Sequence, residues 1–329
     1  MVHPILGRGT QATASNSRSP ARRLGRSSAA AGLRIDLWLG LLAVAAVWLA
    51  LPAASAWAFC RTTTCAVLKP PTSCTHDPIT KCWATGIPLS WTTQCMSFSV
   101  NVHASPLLGL NYDDALAIAD ASFTRWPLAT CPDGGSPSIA YSSKGGLTCS
   151  LVEYNANGPN ANVVVFRDDV WTHEPTALAL TTVHFNVRTG QILDADMEIN
   201  TQSGQVGIAD LPFVITHEAG HFAGLDHSPD PNAVMFFQYS GVASPDVRLT
   251  DDDVAAICDA YPPSRPVPAV CDFDPPKGYA TDCGGDVQAA CSVAPTQSTD
   301  RRSWKWGALA LAGAAVVLRW RARRRRSRR

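Results

Sequence analysis

The chain has 329 residues with 27 Lys+Arg against 27 Asp+Glu, and this formal neutrality hides a strong segregation of charge. Between Phe59 and Ser303 stand 12 basic and 26 acidic residues, a net of −14 (12 − 26), while residues 1–34 carry six arginines and no acid and residues 319–329 carry eight. An acidic body repels phosphate backbones, which argues against a nucleic-acid partner and leaves the basic ends to be explained by targeting.

The N-terminus has the layout of a secretory signal over residues 1–58. The apolar run Leu37–Leu51 follows the arginines, and Ala54-Ser55-Ala56 and Ala56-Trp57-Ala58 offer small-residue cleavage sites. A cut before Phe59 is expected; an uncleaved membrane anchor is the alternative. All eleven cysteines fall in 60–291, after that cut, which suits disulfides formed outside the reducing cytosol. Their odd number leaves one thiol over, with Cys291 the candidate, and the pairing is open. No C-x-x-C pair occurs, so a cysteine-based zinc ribbon is not expected.

Residues 59–95 are rich in Cys, Thr and Pro and read as a disulfide-pinned lead-in to a domain over 96–262. Met96–Val102 alternates apolar and polar residues, as a half-buried strand does. Leu116, Ile118, Ala119, Phe123 and Trp126 follow helical spacing behind Asn111-Tyr112-Asp113-Asp114. Further strands are expected at Ser138–Tyr141, Asn162–Arg167, Ala179–Asn186 and Ile192–Asn200. A second helix should run from Asp210 to Ala223. A third should begin at Thr250, whose hydroxyl can cap Asp251-Asp252-Asp253. Residues 263–303 read as a Pro- and Cys-rich linker. Gly307–Leu318 is wholly apolar, with Trp304, Trp306 and Trp320 beside it and arginines behind, so residues 304–329 are expected to contact a membrane.

The chemistry concentrates in His217-Glu218-Ala219-Gly220-His221-Phe222-Ala223-Gly224-Leu225-Asp226-His227. On a helix, positions i and i+4 lie about 40° apart in azimuth, so His217 and His221 share a face. Gly224 can take the left-handed conformation that ends a helix and turns the chain back, bringing His227 towards the same point. Three imidazoles and a water make a tetrahedral zinc site with an open position. Glu218 stands beside them as a general base rather than a ligand. Elsewhere Asp194, Asp196 and Glu198 alternate along one strand face; calcium and a plainly solvated acidic face are the two readings there.

The stretch matches the long zinc signature of the metzincins, H-E-x-x-H-x-x-G-x-x-H, and Ser228 after it resembles the matrixin branch. Met235, in Asn232-Ala233-Val234-Met235-Phe236, resembles the methionine that those enzymes place in a turn beneath the metal. Phe237 stands where some metzincins carry a ligating tyrosine. The resemblance implies an α+β fold, a mixed twisted sheet packed on two long helices plus a C-terminal helix at Leu249–Tyr261. It implies a zinc-dependent endopeptidase acting as a monomer on extracellular proteins or peptides, with one catalytic Zn2+ and a metal-bound water activated by Glu218. Substrate would lie antiparallel to an edge strand, supplied by Ala179–Asn186 or Ile192–Asn200. The Pro-Arg-Cys-Gly latency motif of matrixin zymogens is absent, and Cys60 and Cys65 are expected in disulfides rather than on the metal. The C-terminal pattern of cysteine, apolar run and arginines resembles the sorting tails of myxobacterial secreted proteins, implying export to the cell envelope or beyond. A non-catalytic zinc-bearing binding module of the envelope is the competing function.

Overall fold

The computed structural model describes residues 2–6, 59–67, 74–241, 246–265 and 267–281. In chain order these form β1 (Val2–Leu6), β2 (Cys95–Asn101), α1 (Tyr112–Thr124), β3 (Ala140–Leu147), β4 (Val163–Phe166), β5 (Ala177–Phe185), β6 (Ile192–Ile199), α2 (Leu211–Phe222) and α3 (Asp251–Ala260). The α+β organisation and the three helices of the acidic body lie where the sequence pattern puts them, with ends moved by one or two residues. The leader residues 7–58, the tail 304–329, and Cys283 and Cys291 lie outside the described residues. No helix among the described residues is long and apolar enough to cross a membrane.

The sheet has six strands in the order β1-β5-β6-β4-β2-β3. β3, β2, β4 and β6 are mutually parallel, while β5 runs antiparallel to β6 and β1 antiparallel to β5. Ile192–Asn200 is therefore not an edge strand. It lies between β4 and β5, and Ala179–Asn186 is no edge either, because β5 pairs with β6 on one side and with the backbone of β1 on the other, leaving β1 as the edge of the sheet.

β2 corrects a second expectation. It alternates apolar and polar residues, yet all seven of its residues are buried. Parallel strands on both sides and cover on both faces account for this. One face meets α1, where Phe98 stacks on Phe123 with ring centroids 4.2 Å apart. The other face meets the stretch read as a linker: Cys271 is bonded to Cys95, and the Ser99 and Tyr279 hydroxyls lie 2.7 Å apart. Residues 271–281 thus close the back of the sheet. Cys131–Cys258 ties the loop after α1 to α3, and Cys60–Cys82 and Cys65–Cys74 fix the lead-in.

Helix starts follow local chemistry. Asn111 accepts a bond from the Asp114 amide at 2.9 Å, with Asp113 and Asp114 in the first turn of α1. Thr250 and Asp253 form a reciprocal capping box at α3. α2 begins with Pro212 in its first turn and is buried almost all round, because it lies between the sheet, α1 and the chain that follows it.

Candidate metal centre

α2 carries His217 and His221 one turn apart, with their Nε2 atoms 3.1 Å from each other. The helix ends in a Schellman arrangement: the Gly224 amide donates to His221 O at 2.9 Å and the Leu225 amide to Gly220 O at 3.0 Å. Gly224 sits at φ +89°, and a Cβ there would run into the Leu89 carbonyl, so only glycine fits on both counts. The reversal brings the Nε2 of His227 to 3.2 Å from that of His221.

Proton placement on the two helical imidazoles follows from their other nitrogens. His217 Nδ1 lies 2.6 Å from the Val234 carbonyl and His221 Nδ1 lies 2.9 Å from the Leu225 carbonyl. A carbonyl can only accept, so each Nδ1 carries the proton and each Nε2 turns a lone pair inward. The short separation between the His217 and His221 Nε2 atoms is therefore a contact between acceptors rather than a hydrogen bond, an arrangement that suits a shared cation. Nitrogen ligands at about 2.0–2.1 Å in a tetrahedron would stand roughly 3.3–3.4 Å apart, close to the spacing seen. Among the described residues, these three alone bring three ligand-type side chains within 4.8 Å of one another. The donor set fits zinc with one position open.

Glu218 projects beside this trio from a fully buried position. The Thr181 hydroxyl on β5 donates to Glu218 Oε2 at 2.5 Å, while Oε1 has no hydrogen-bond partner. Burial pushes the Glu218 carboxyl up to about 8, with the Thr181 bond acting the other way. Thr181 escaped the sequence reading because 37 positions separate it from Glu218 and its own surroundings read only as strand.

Met235 forms the floor. It is buried, and a Cβ built at Gly220 would collide with its sulfur and with Trp126, so glycine at that helix position makes room for it. Asp253 on α3 holds the turn: its carboxylate accepts the Val234 amide at 2.9 Å and the Met235 amide at 3.0 Å. Burial raises the Asp253 carboxyl while these bonds and those from Thr250 pull it down. The capping pattern at Thr250 marked Asp253 as part of a helix start and gave no sign of this second role.

The carbonyls at the end of α2 are satisfied from far away. Trp91 Nε1 donates to Phe222 O at 2.8 Å and the Tyr261 hydroxyl to Ala223 O at 2.9 Å. The Thr62 amide donates to Gly224 O at 3.1 Å and the Thr62 hydroxyl to Leu225 O at 2.9 Å. The Asp226 amide donates to Cys60 O at 3.0 Å. The lead-in is thus bonded to the three residues that deliver His227.

The acidic strand face is elsewhere and is not solvated: Asp194, Asp196 and Glu198 are all buried. Glu198 is engaged by Arg167 at 2.6 Å and by His173 at 3.0 Å. Asp196 accepts the Val163 amide at 2.8 Å and the Glu153 amide at 3.2 Å, while Asp194 receives no amide or hydroxyl bond and leans on the neighbouring Asp196 carboxyl. Burial holds both aspartates well above the usual carboxylate range.

Comparison with known proteins agrees with this geometry. Residues 167–262 match the family model for matrixin. Over 49 residues the chain is 51% identical to rat (Rattus norvegicus) matrilysin, covering 15% of this chain and 18% of that protein. Over 70 residues it is 41% identical to human (Homo sapiens) matrix metalloproteinase-16, covering 18% and 11%. Over 87 residues it is 33% identical to rabbit (Oryctolagus cuniculus) macrophage metalloelastase, covering 23% and 19%. The chain spans less than a fifth of the length of each of these three relatives. With the mixed sheet, the histidine-bearing helix and the turn at Met235, these matches make residues 167–262 similar to the matrixin family, in a fold consistent with the matrixin-like metzincins.

Proposed function

We propose that this chain is a zinc-dependent endopeptidase of exported or envelope-held location, with His217, His221 and His227 holding the metal and Glu218 as general base. The observation that carries this reading is the convergence of three Nε2 atoms beside a buried carboxyl with one unpartnered oxygen. Zinc, when bound, supplies Lewis-acid polarisation of the scissile carbonyl and a lowered pKa for water. Glu218 Oε1 accepts the proton of the attacking water and returns it to the leaving amine, while Thr181 fixes Oε2. Cleavage of the leader would remove Val2–Leu6 and free β5, which then takes the peptide as an antiparallel strand in the mode of that pairing. Protein substrates follow from the family, and membrane contact through residues 304–329 belongs to the same proposal.

The test compares the oxidised chain with its Glu218→Ala variant for zinc content and for cleavage of casein. We expect one zinc in both and a loss of cleavage by about three orders of magnitude in the variant. A chain that holds no zinc, or a variant that still cleaves, overturns the reading; zinc in both with cleavage in neither favours a binding module.

Calcium at Asp194 and Asp196 is a second, independent proposal, supported by two buried Asp194 oxygens that no amide or hydroxyl satisfies. It predicts that calcium, and not magnesium, raises the melting temperature of the unmutated chain and leaves that of Asp194→Asn unchanged.

A further inference from the structure

Beside the metal centre lies a groove of about 530 Å³ whose two walls come from distant parts of the chain. One wall is the disulfide-fixed lead-in, contributing His76, Ile79 and Trp83; the other is Phe236 and Phe237, with His227 at the inner end. The lead-in lies outside residues 167–262, the stretch matched by the matrixin family model. Its rigidity is built in. Cys60–Cys82 and Cys65–Cys74 close it, His76 and Trp83 stack with centroids 3.7 Å apart, and its backbone is bonded to Gly224 and Asp226.

Both walls expose apolar surface towards solvent. Ile79 is 87% exposed and Phe237 42% exposed, and both line the groove. Apolar side chains left in water on the two lips of a groove mark a place where an apolar group is received. The volume falls in the range of sites that enclose small ligands, about 300–1,000 Å³, which is ample for a large side chain and its backbone. The groove is continuous with the metal centre through His227, so a peptide held at the centre reaches it within a few residues.

We propose that the lead-in groove is a specificity subsite that receives one large apolar or aromatic side chain of the peptide whose scissile bond lies at the metal centre. This deepens the protease reading and rests on it for the placement of the peptide. Ile79, Trp83 and Phe237 are then specificity-determining residues, selecting for a side chain a fixed number of residues from the cleaved bond.

Binding tests this without requiring turnover. The probe is a fluorescein-labelled all-alanine decapeptide and its variants with one phenylalanine at each position in turn, bound to the zinc-loaded Glu218→Ala chain and followed by anisotropy. We expect one position, or two adjacent ones, to favour phenylalanine at least tenfold, and Ile79→Asp and Phe237→Ser each to reduce that preference below threefold. Both side chains are exposed enough for the variants to fold. A preference that survives Ile79→Asp, or no preference at any position, overturns the subsite. Selective binding combined with a failure of the unmutated chain to cleave the preferred peptide would overturn the protease reading and leave the groove standing.

Discussion

The helix that carries the histidines and the lead-in that braces it encode their parts in opposite ways. In α2 the chemistry is local: His217, Glu218 and His221 take their relative positions from 3.6-residue periodicity, and Gly224 sets the return. The lead-in has no periodicity, and its described residues hold no regular element longer than a single turn, Thr64–Val67. Its structure is set by two disulfides and by backbone bonds to residues more than a hundred positions away. Reactivity in this molecule is written in one stretch of sequence, whereas the support of its third histidine and the shape of its flank come from another.

The largest effect should come from separating the two. Replacing Cys60 and Cys82 together by serine opens a loop of 22 residues, and a loss of about 3 kcal/mol is expected. Zinc affinity should fall with it, because Cys60 O and Thr62 fix the path of Asp226 and His227; an unchanged zinc dissociation constant would show that α2 assembles the centre unaided. Gly220→Ala attacks the helix side instead. Pushing a methyl group against Met235 and Trp126 should cost about 1–3 kcal/mol, read as a lowered melting temperature with the lead-in disulfides intact.

Thr181→Val removes the bond to Glu218 Oε2 while keeping the shape of the side chain. Cleavage should fall about tenfold, near the worth of one hydrogen bond to a charged group, with zinc content unchanged and Thr181→Ser restoring the rate. An equal loss in the serine variant would assign Thr181 to packing alone.

The smallest effect concerns pH. Asp194 and Asp196 have folded values well above the ordinary carboxylate range, so both states are protonated below about 4 and stability there is full. As pH rises past that point the unfolded chain sheds protons that the folded chain retains. Stability then declines by at most about 1.4 kcal/mol per pH unit for each retained proton, until the folded pair ionises. Asp194→Asn should flatten this decline in chemical denaturation between pH 4 and 7, and a slope equal to that of the parent would place the effect elsewhere.

What could be read in the sequence divides along the same line. Strand and helix positions were legible because periods of 2 and 3.6 show in single stretches, and the histidine trio because a helix and one glycine fix its spacing. Strand order was not: Ile192–Asn200 has the same alternation whether it lies inside the sheet or at its edge. Nor was the burial of Ser97, Ser99 and Asn101, which depends on Cys271 and Tyr279 folding back across the sheet. Thr181, the hold of Asp253 on the Met235 turn and the groove at Trp83 share this character, since each joins residues whose separation in the chain carries no periodic signal.

The bond from the Asp226 amide to Cys60 O makes the path of His227 depend on the redox state of its surroundings. Cys60–Cys82 and Cys65–Cys74 cannot close in a reducing cytosol, and there the segment ending in His227 lacks its brace. If the chain is exported as proposed, oxidation on the far side of the membrane would be what completes this brace, tying assembly of the third histidine to compartment.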